Sequence, residues 1–342
     1  MIDEYGYQYY YFYYPYYYYY YYDYENLNDT YVGNYSYVIN LPDTQLLNTI
    51  STLSTALYSV AFFFGVIGNS IVIWIAACKM KNISSVWFLN LAAVDFICCA
   101  SLPLRIIESN LDYADSFTHD LCRIGSSILS LTMSTSVNFL TVMSIDRFVS
   151  TMWPFWSKIY RTRRTVRVIS FFVWILSLFL NSPYILLNNL YQDVSDCYFK
   201  DGSANKTYRF NMYISKFVIS FAAPFLIILF CYGGVLFQVK NVKKNKKSFR
   251  PYRIVTAVIV SFFITGFPYH SWRLIPVLKG KLRNTDFILY SVFNCMAYFN
   301  SCTNPILYVI IGEHFKISFM STFLETTRIF IGRFKRPCGE KT

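Results

Sequence analysis

Seven apolar segments of membrane-spanning length occupy most of the chain between residues 52 and 311. About 20 apolar residues in a helix cross the roughly 30 Å hydrocarbon core of a bilayer. The predicted spans are residues 52–78, 86–107, 120–150, 168–188, 209–239, 252–278 and 286–311. This pattern predicts an all-α membrane protein, a seven-helix bundle in which the number of spans is better defined than their ends.

The composition fits a chain whose main solvent is lipid. Of the 342 residues, 15% are charged and 55% are hydrophobic, and the mean hydropathy is +0.32. A soluble domain carries about 25% charged residues. The deficit in charge therefore indicates that hydrocarbon covers much of the folded surface.

The uneven distribution of charge predicts the orientation in the membrane. The net charge is +12, yet residues 1–50 contain acidic residues and no Lys or Arg. Basic residues gather in alternate loops and in the C-terminal tail: Lys79, Lys81, Lys158, Arg161, Arg163, Arg164, Arg167, Lys240, Lys243, Lys244, Lys246, Lys247, Arg250, Arg253, Arg328, Arg333, Lys335 and Arg336. Short basic loops stay cytoplasmic, so seven spans place the N-terminus outside. The charge thus predicts a multi-pass plasma-membrane protein and argues against a nucleic-acid partner.

Residues 1–50 form an acidic, tyrosine-rich tail that is predicted to be extracellular. A low-complexity segment has no core around which to fold, so we expect disorder. Tyr5, Tyr22 and Tyr24 adjoin Asp or Glu and are the predicted sulfotyrosines. Sulfation would let the tail bind a basic ligand through charge-assisted contacts. The alternative is an expanded repeat without a specific role.

Further modifications are predicted on the extracellular side. The acceptor sequons for glycosylation there are Asn28, Asn34 and Asn205. Among the cysteines, this topology places Cys122 and Cys197 outside, where thiols are expected to be oxidised. We therefore predict a disulfide between them that fixes the loop after the fourth span.

Polar residues occur at mid-membrane depth in the first, second, third and seventh spans. An ionisable side chain within a span is costly, so Asp95 is functional by default. Asn69 lies at comparable depth, as do the other residues that we predict to hold a sodium ion with Asp95: Ser136, Asn300, Ser301 and Asn304. Interhelical hydrogen bonding without an ion is the alternative.

A set of motifs occurs in order, one group for each span. The set comprises Gly68-Asn69, the run from Leu89 to Asp95, Cys122, Asp146-Arg147-Phe148, Trp174, Pro183, Cys197, Pro224, Tyr232, Phe262, Pro268 and the run from Asn304 to Tyr308. Over roughly residues 50–325 the chain thereby resembles rhodopsin-like (class A) G-protein-coupled receptors. Each motif alone is weak, but the ordered combination is specific.

The resemblance implies roles for individual residues. It assigns Asp95 to an inhibitory sodium site, and it implies that Asp146 holds Arg147 at rest. Arg147 would then be released to meet the G protein while Tyr232 and Tyr308 move inward. Further residues implied in activation are Phe262, Gly266, Pro268, Asn304 and Pro305.

The resemblance also divides the chain into three parts. Residues 1–50 form the tail, residues 51–312 form the seven-transmembrane bundle, and residues 313–342 form a short amphipathic helix followed by a cytoplasmic tail. Cys338 lies in this last part and is predicted to be a palmitoylation site. An unmodified thiol is the alternative.

The sixth span departs from the family pattern. Gly266 stands where class A receptors usually carry Trp, and Thr265 stands where they often carry Cys. Loss of the indole removes a large packing element, and we expect Phe267 or Met133 to fill part of its space. Either coupling to the agonist is altered or the packing change is compensated. Such a departure also fits a diverged, virus-encoded member of the family.

Three cations near the outer ends of the spans are candidates for ligand recognition: Arg105, Lys216 and Arg273. Leu129 stands where amine receptors carry Asp, which argues against a monoamine ligand. A cation at the position of Lys216 resembles chemoattractant receptors that bind a ligand's carboxylate terminus. The runs 153–156 and 261–270 likewise resemble receptors for formyl peptides, complement anaphylatoxins and chemerin. The predicted ligand-binding residues are Arg105, Glu108, Leu129, Met133, Lys216, Tyr269, His270, Arg273, Tyr290 and Asn294.

Alternatives remain for both the site and the function. The cations could extend to water, and Glu108 could neutralise Arg105. The predicted function is a receptor for a peptide or small-protein chemoattractant, coupled to an inhibitory-class heterotrimeric G protein, with arrestin as a further partner. One rival is a chemokine receptor, although residues 1–50 contain no cysteine for the second extracellular disulfide that is usual in such receptors. The other rival is a scavenger that binds ligand without signalling. The scattered histidines argue against an enzyme.

Overall fold

The computed structural model describes residues 44–80, 82–111, 116–190, 206–241, 250–275 and 284–311, which are almost entirely helical. In chain order the helices are α1 Thr44–Trp74, α2 Ser84–Ala100, α3 Leu102–Asn110, α4 Ser116–Met152, α5 Pro154–Tyr160, α6 Arg163–Leu190, α7 Lys206–Phe217, α8 Ala223–Asn241, α9 Arg250–Trp272 and α10 Asn284–Ile311. Two π-helical segments, Ile75–Lys79 and Val218–Ala222, follow α1 and α7.

Several predicted features lie outside the described residues and stay predictions. They are Tyr5, Tyr22, Tyr24, Asn28 and Asn34 in the tail, then Cys197 and Asn205, and finally residues 313–342 with Cys338.

Five segments within the described residues are long and apolar enough to cross a membrane. They are Asn48–Lys79, Ser84–Asn110, Asp120–Met152, Arg163–Pro183 and Phe210–Val235. The ends of these segments lie within five residues of the ends of the first five predicted spans. Helices α9 and α10 occupy the places of the sixth and seventh spans, and α10 packs along α1, α2 and α9.

The second span is broken into α2 and α3 at Ser101, two residues before Pro103. Proline has no backbone N–H and disfavours helical geometry in the residue before it. The hydroxyl of Ser101 donates to the carbonyl of Cys98 (2.7 Å), which supports the bend. Beyond the bend, Arg105 of α3 packs on Gly125 of α4, where an added Cβ would lie 3.2 Å from the Arg105 Cδ.

Helix α4 runs through the centre of the bundle and packs against α2, α3, α5, α6, α8 and α9. Its inward side chains, such as Leu129, Met133 and Phe139, are buried. By contrast, Phe171 and Phe179 of α6 are 61% and 71% exposed, because this face of α6 looks away from the bundle. In a membrane such a face contacts hydrocarbon.

Candidate functional site

Helix α3 carries a buried ion pair. A terminal nitrogen of Arg105 donates to Glu108 at 2.7 Å, and both residues are buried. The same nitrogen lies 3.5 Å from the sulfur of Cys122. Glu108 therefore neutralises Arg105, as the sequence analysis allowed. Arg105 forms part of a packed junction between α3 and α4, and its role in binding a ligand stays a prediction.

The other two predicted cations have charged nitrogens that lie inside the protein. Arg273 lies over the ring of Tyr269, with its central carbon 4.5 Å from the ring centroid. Lys216 lies in the last turn of α7. The Nζ atom of Lys216 and a terminal nitrogen of Arg273 are shielded from solvent. Both cations are therefore placed where water does not screen their charge.

Two further predicted ligand residues, His270 and Asn294, carry buried polar atoms without a hydrogen-bond partner in the described part of the chain. These atoms are Nε2 of His270 and Oδ1 of Asn294. Asn294 is held by its Nδ2, which donates to the carbonyl of Tyr290 at 3.0 Å. Buried polar atoms are normally satisfied, so these two are suited to receive polar groups of a ligand.

The space left by Gly266 is filled from α4. A Cβ at Gly266 would lie 3.4 Å from the terminal methyl group of Met133 and 3.5 Å from the ring of Phe262. Met133 is thus one of the two expected fillers. Phe267, the other, is 53% exposed and contacts Phe221, with ring centroids 5.6 Å apart. The expectation for Met133 is met, and that for Phe267 is wrong because its side chain points outward.

Thr265 links the sixth and seventh helices. Its hydroxyl donates to Oδ1 of Asn300 in α10 at 3.1 Å. It also lies 2.9 Å from the carbonyl of Ser261, one turn earlier in α9. The departure from the family pattern at Thr265 therefore supplies an interhelical hydrogen bond at the depth of the missing indole.

Asp95 is fully buried on α2 and is bound by α10. Nδ2 of Asn304 donates to one carboxylate oxygen of Asp95 at 2.7 Å. The other oxygen of Asp95 has no partner among the described residues, and neither do the side-chain oxygens of Asn304 and Asn69. Hard cations prefer oxygen ligands. The buried oxygens therefore fit the predicted sodium ion, with Ser136 and Ser301 also buried.

Close helix packing around Asn69 explains the glycines that precede it. An added Cβ at Gly68 would lie 3.1 Å from Pro305 of α10, and one at Gly65 would overlap the sulfur of Cys99. This approach lets Nδ2 of Asn69 donate to the carbonyl of Ser301 at 3.0 Å. The first span is thereby fixed to the seventh beside Asp95.

A polar junction of the third, fourth and fifth spans was missed in the sequence analysis. Oδ1 of Asn181 accepts from Ser134 (3.2 Å) and from Ser130 (3.4 Å), and the hydroxyl oxygens of Ser134 and Ser220 lie 3.0 Å apart. Ser220 lies in the π-helical segment that precedes Pro224. Serines are common in apolar helices, and only the fold shows that these three meet.

At the Arg147 end of the bundle, the acidic partner differs from the one that the resemblance implies. Both carboxylate oxygens of Asp146 accept from Arg161, at 2.7 and 2.8 Å. Arg147 donates to the hydroxyl of Ser84 in α2 at 2.7 Å. The expectation that Asp146 holds Arg147 is corrected on this point. The planar guanidinium of Arg161 matches the two oxygens of a carboxylate and forms the stronger, bidentate pair.

The remaining predicted activation residues lie in α8, α9 and α10. Tyr308 is fully buried and packs edge-on against Phe88 of α2, with centroids 5.1 Å apart. Phe262 is buried, Tyr232 is half-buried, and Pro268 and Pro305 lie inside α9 and α10. Cys122 is disulfide-bonded. Its predicted partner Cys197 lies outside the described residues, so that pairing stays a prediction.

Residues 68–308 match the family of 7 transmembrane receptors of the rhodopsin type. The chain belongs to the rhodopsin family of seven-transmembrane receptors. It is therefore a multi-pass membrane receptor and not an enzyme. The match covers more than half of the chain and includes both the α2–α10 contact at Asp95 and the Asp146-Arg147 motif.

Individual relatives of this receptor are chemoattractant receptors. The receptor is 35% identical over 296 residues to the C3a anaphylatoxin chemotactic receptor of Danio rerio, covering 85% of this chain and 81% of that one. It is 32% identical over 311 residues to chemerin-like receptor 1 of Homo sapiens (84% and 83% covered). It is also 32% identical over 313 residues to formyl peptide receptor 2 of Mus musculus (84% and 89% covered).

Proposed function

We propose that this protein is a plasma-membrane receptor for a peptide or small-protein chemoattractant, with its N-terminus outside the cell. Its similarity to receptors named for C3a anaphylatoxin, chemerin and formyl peptide supports this class of ligand. The observation that carries the proposal is that the charged nitrogens of Lys216 and Arg273 are shielded from solvent.

A carboxylate is the ligand group that this arrangement suits. Two cations shielded from water create a positive potential that attracts an anion. Arg273 is steadied by the Tyr269 ring, and a fixed guanidinium loses less entropy when it binds a carboxylate in a fork geometry. His270 and Asn294 would accept or donate the hydrogen bonds of the adjoining peptide group. The ligand's C-terminus would therefore enter between α7 and α9.

Signalling would pass from this site to the Arg147 end. Met133 and Phe262 pack at Gly266, below the residues proposed to meet the ligand, and would respond to ligand entry by shifting α9 against α4. Differential affinity for the two bundle arrangements would change their populations. We propose an inhibitory-class heterotrimeric G protein as the partner and arrestin as a second one. The presence of the Asp146-Arg147 motif favours signalling over scavenging.

The test uses peptide pairs that differ only at the C-terminus, as free carboxylate or carboxamide. C-terminal peptides of C3a and chemerin and a formyl-Met peptide serve as starting ligands. We expect the carboxylate form to bind more tightly to the parent receptor, and Lys216→Gln or Arg273→Gln to abolish that preference. Arg123→Gln is the matched control, because Arg123 is a partly exposed cation already paired with Asp120.

Two results would count against this mode of binding. Equal affinity for carboxylate and carboxamide would exclude charge recognition of the C-terminus. A preference that survives in Lys216→Gln/Arg273→Gln would place the recognition site elsewhere. Binding and uptake of a ligand without G-protein activation would favour a scavenger, and tight binding of chemokines alone would favour a chemokine receptor.

A further inference from the structure

Helix α5 turns its large apolar side chains outward. Phe155, Trp156, Ile159 and Tyr160 are 81%, 53%, 68% and 56% exposed, whereas Ser157 is buried on the opposite side. The rings of Trp156 and Tyr160 lie 5.1 Å apart and form one aromatic face. Exposed apolar surface of this extent marks a contact with protein or membrane.

The adjoining helix α6 carries cations and apolar side chains on one stripe. Arg164 and Arg167 are exposed in its first two turns. Val168, Phe171 and Ile175 continue the same face and are 49%, 61% and 46% exposed. Residues at this spacing share one side of a helix. Because α6 crosses the membrane, the apolar part of the stripe contacts hydrocarbon, and the two guanidinium groups lie at the depth of the headgroups.

Hydrogen bonds hold α5 beside this stripe. The carbonyl of Tyr160 accepts from the Thr165 hydroxyl (3.1 Å) and from the backbone N–H of Thr162 (3.0 Å). The bidentate pair of Arg161 with Asp146 fixes the connection to α4. The aromatic face of α5 therefore has a defined position next to Arg164.

We propose that Trp156, Tyr160, Arg164 and Arg167 form a docking surface for anionic membrane lipid. Amphipathic Trp and Tyr rings favour the headgroup region, and arginine forks bind phosphate oxygens. The surface continues directly into the lipid-facing stripe of α6. A ligand whose headgroup binds the surface and whose acyl chain lies along this stripe would therefore fit best. This inference goes beyond ligand recognition, although the identity of the leaflet rests on the proposed topology, in which this end meets the anionic cytoplasmic leaflet.

Native mass spectrometry of the full chain in detergent, titrated with phosphatidylserine or phosphatidylcholine, tests this surface. We expect the parent protein to bind phosphatidylserine more tightly. Arg164→Gln/Arg167→Gln should weaken that binding by about fivefold for each cation removed, and Arg164→Lys/Arg167→Lys should retain most of it. Trp156→Gln/Tyr160→Gln should weaken the binding of both lipids. Arg123→Gln, which removes a cation at the other end of α4, should change the binding of neither lipid.

Three outcomes would overturn the proposal. Equal binding of phosphatidylserine by the parent and by Arg164→Gln/Arg167→Gln would exclude these cations. Full displacement of the lipid by soluble glycerophosphoserine would indicate a simple anion site. Loss of G-protein activation in Trp156→Gln/Tyr160→Gln with unchanged lipid binding would assign the aromatic face to a protein partner. Thermal unfolding of each variant, which alters only exposed side chains, confirms that it is folded.

Discussion

The guanidinium group of Arg161 donates two hydrogen bonds to the carboxylate of Asp146, 2.7 and 2.8 Å long. Arg147, the next residue along α4, turns instead to the hydroxyl of Ser84. The acidic member of the motif is thus satisfied by the connection between α5 and α6. In this arrangement Asp146 stabilises the α5–α6 connection, and Arg147 contacts α2.

Removal of Arg161 is predicted to lower signalling. In Arg161→Gln, Asp146 loses a charge-assisted pair of the kind that contributes about 1.5–3 kcal/mol, and its carboxylate becomes available to Arg147. Arg147 would then be less accessible to a G protein. Asp146→Asn should have the opposite effect, because an amide holds neither arginine strongly.

Nucleotide exchange on the G protein, measured in membranes at matched receptor density, checks this prediction. We expect the order Asp146→Asn, parent, Arg161→Gln from highest to lowest basal rate, with Arg123→Gln equal to the parent. Identical rates in Arg161→Gln and the parent would show that the pair does not control Arg147.

Sodium is predicted to lower agonist affinity through Asp95. One side-chain oxygen each of Asp95 and Asn304 has no hydrogen-bond partner within the described ranges. These oxygens would bind the cation in the resting arrangement, and agonist and cation would then oppose each other reciprocally. Exchange of NaCl for N-methylglucamine chloride at constant ionic strength should raise agonist affinity about fivefold or more, the range of ordinary coupling energies. Asp95→Asn should bind agonist equally in both salts, and a sodium effect that persists in this variant would refute the assignment.

The packing at Gly266 predicts a size exchange with Met133. Gly266→Ala should be tolerated, because its Cβ would meet Met133 and Phe262 at ordinary contact distances of 3.4 and 3.5 Å, and alanine favours the helix by about 1 kcal/mol. Gly266→Trp should destabilise the bundle by about 1–3 kcal/mol through overpacking. Met133→Ala should cost about 2–5 kcal/mol by leaving a cavity.

The double variant Met133→Ala/Gly266→Trp supplies the decisive comparison. The indole would occupy the volume vacated by the methionine, so we expect this variant to unfold at a higher temperature than either Met133→Ala or Gly266→Trp. Thermal unfolding in detergent measures the order. Additive destabilisation would mean that the two side chains do not share one space.

The motifs predicted the helices and the α2–α10 contact because depth in the membrane can be counted along the sequence. Asp95 and Asn304 were paired by their depth, and the structure places them 2.7 Å apart. The bend at Ser101 follows from Pro103. These features depend on local sequence and on one coordinate, the distance across the bilayer.

The remaining contacts depend on how each helix is rotated about its axis and on which of several similar side chains reaches a given partner. A single sequence does not determine either. The segment from Lys158 to Arg167 contains five basic residues, counting both ends. Only the fold shows that Arg161 is the one that reaches Asp146. Phe267 and Met133 were equal candidates for the space at Gly266 until the face of α9 was known. The hydrogen bonds of Ser134 with Asn181 and with Ser220 join three spans and have no local signature.

G-protein activation in cells expressing the full chain tests the account most directly. Cells would receive C3a, chemerin or formyl peptide, beside cells expressing Arg147→Ala at the same surface level and tested against a panel of Gα subunits. We predict that at least one of these chemoattractants activates inhibitory-class G protein through the parent receptor and fails to do so through Arg147→Ala. Ligand binding and uptake with no activation of any Gα subunit in the parent would contradict the account and identify a scavenger.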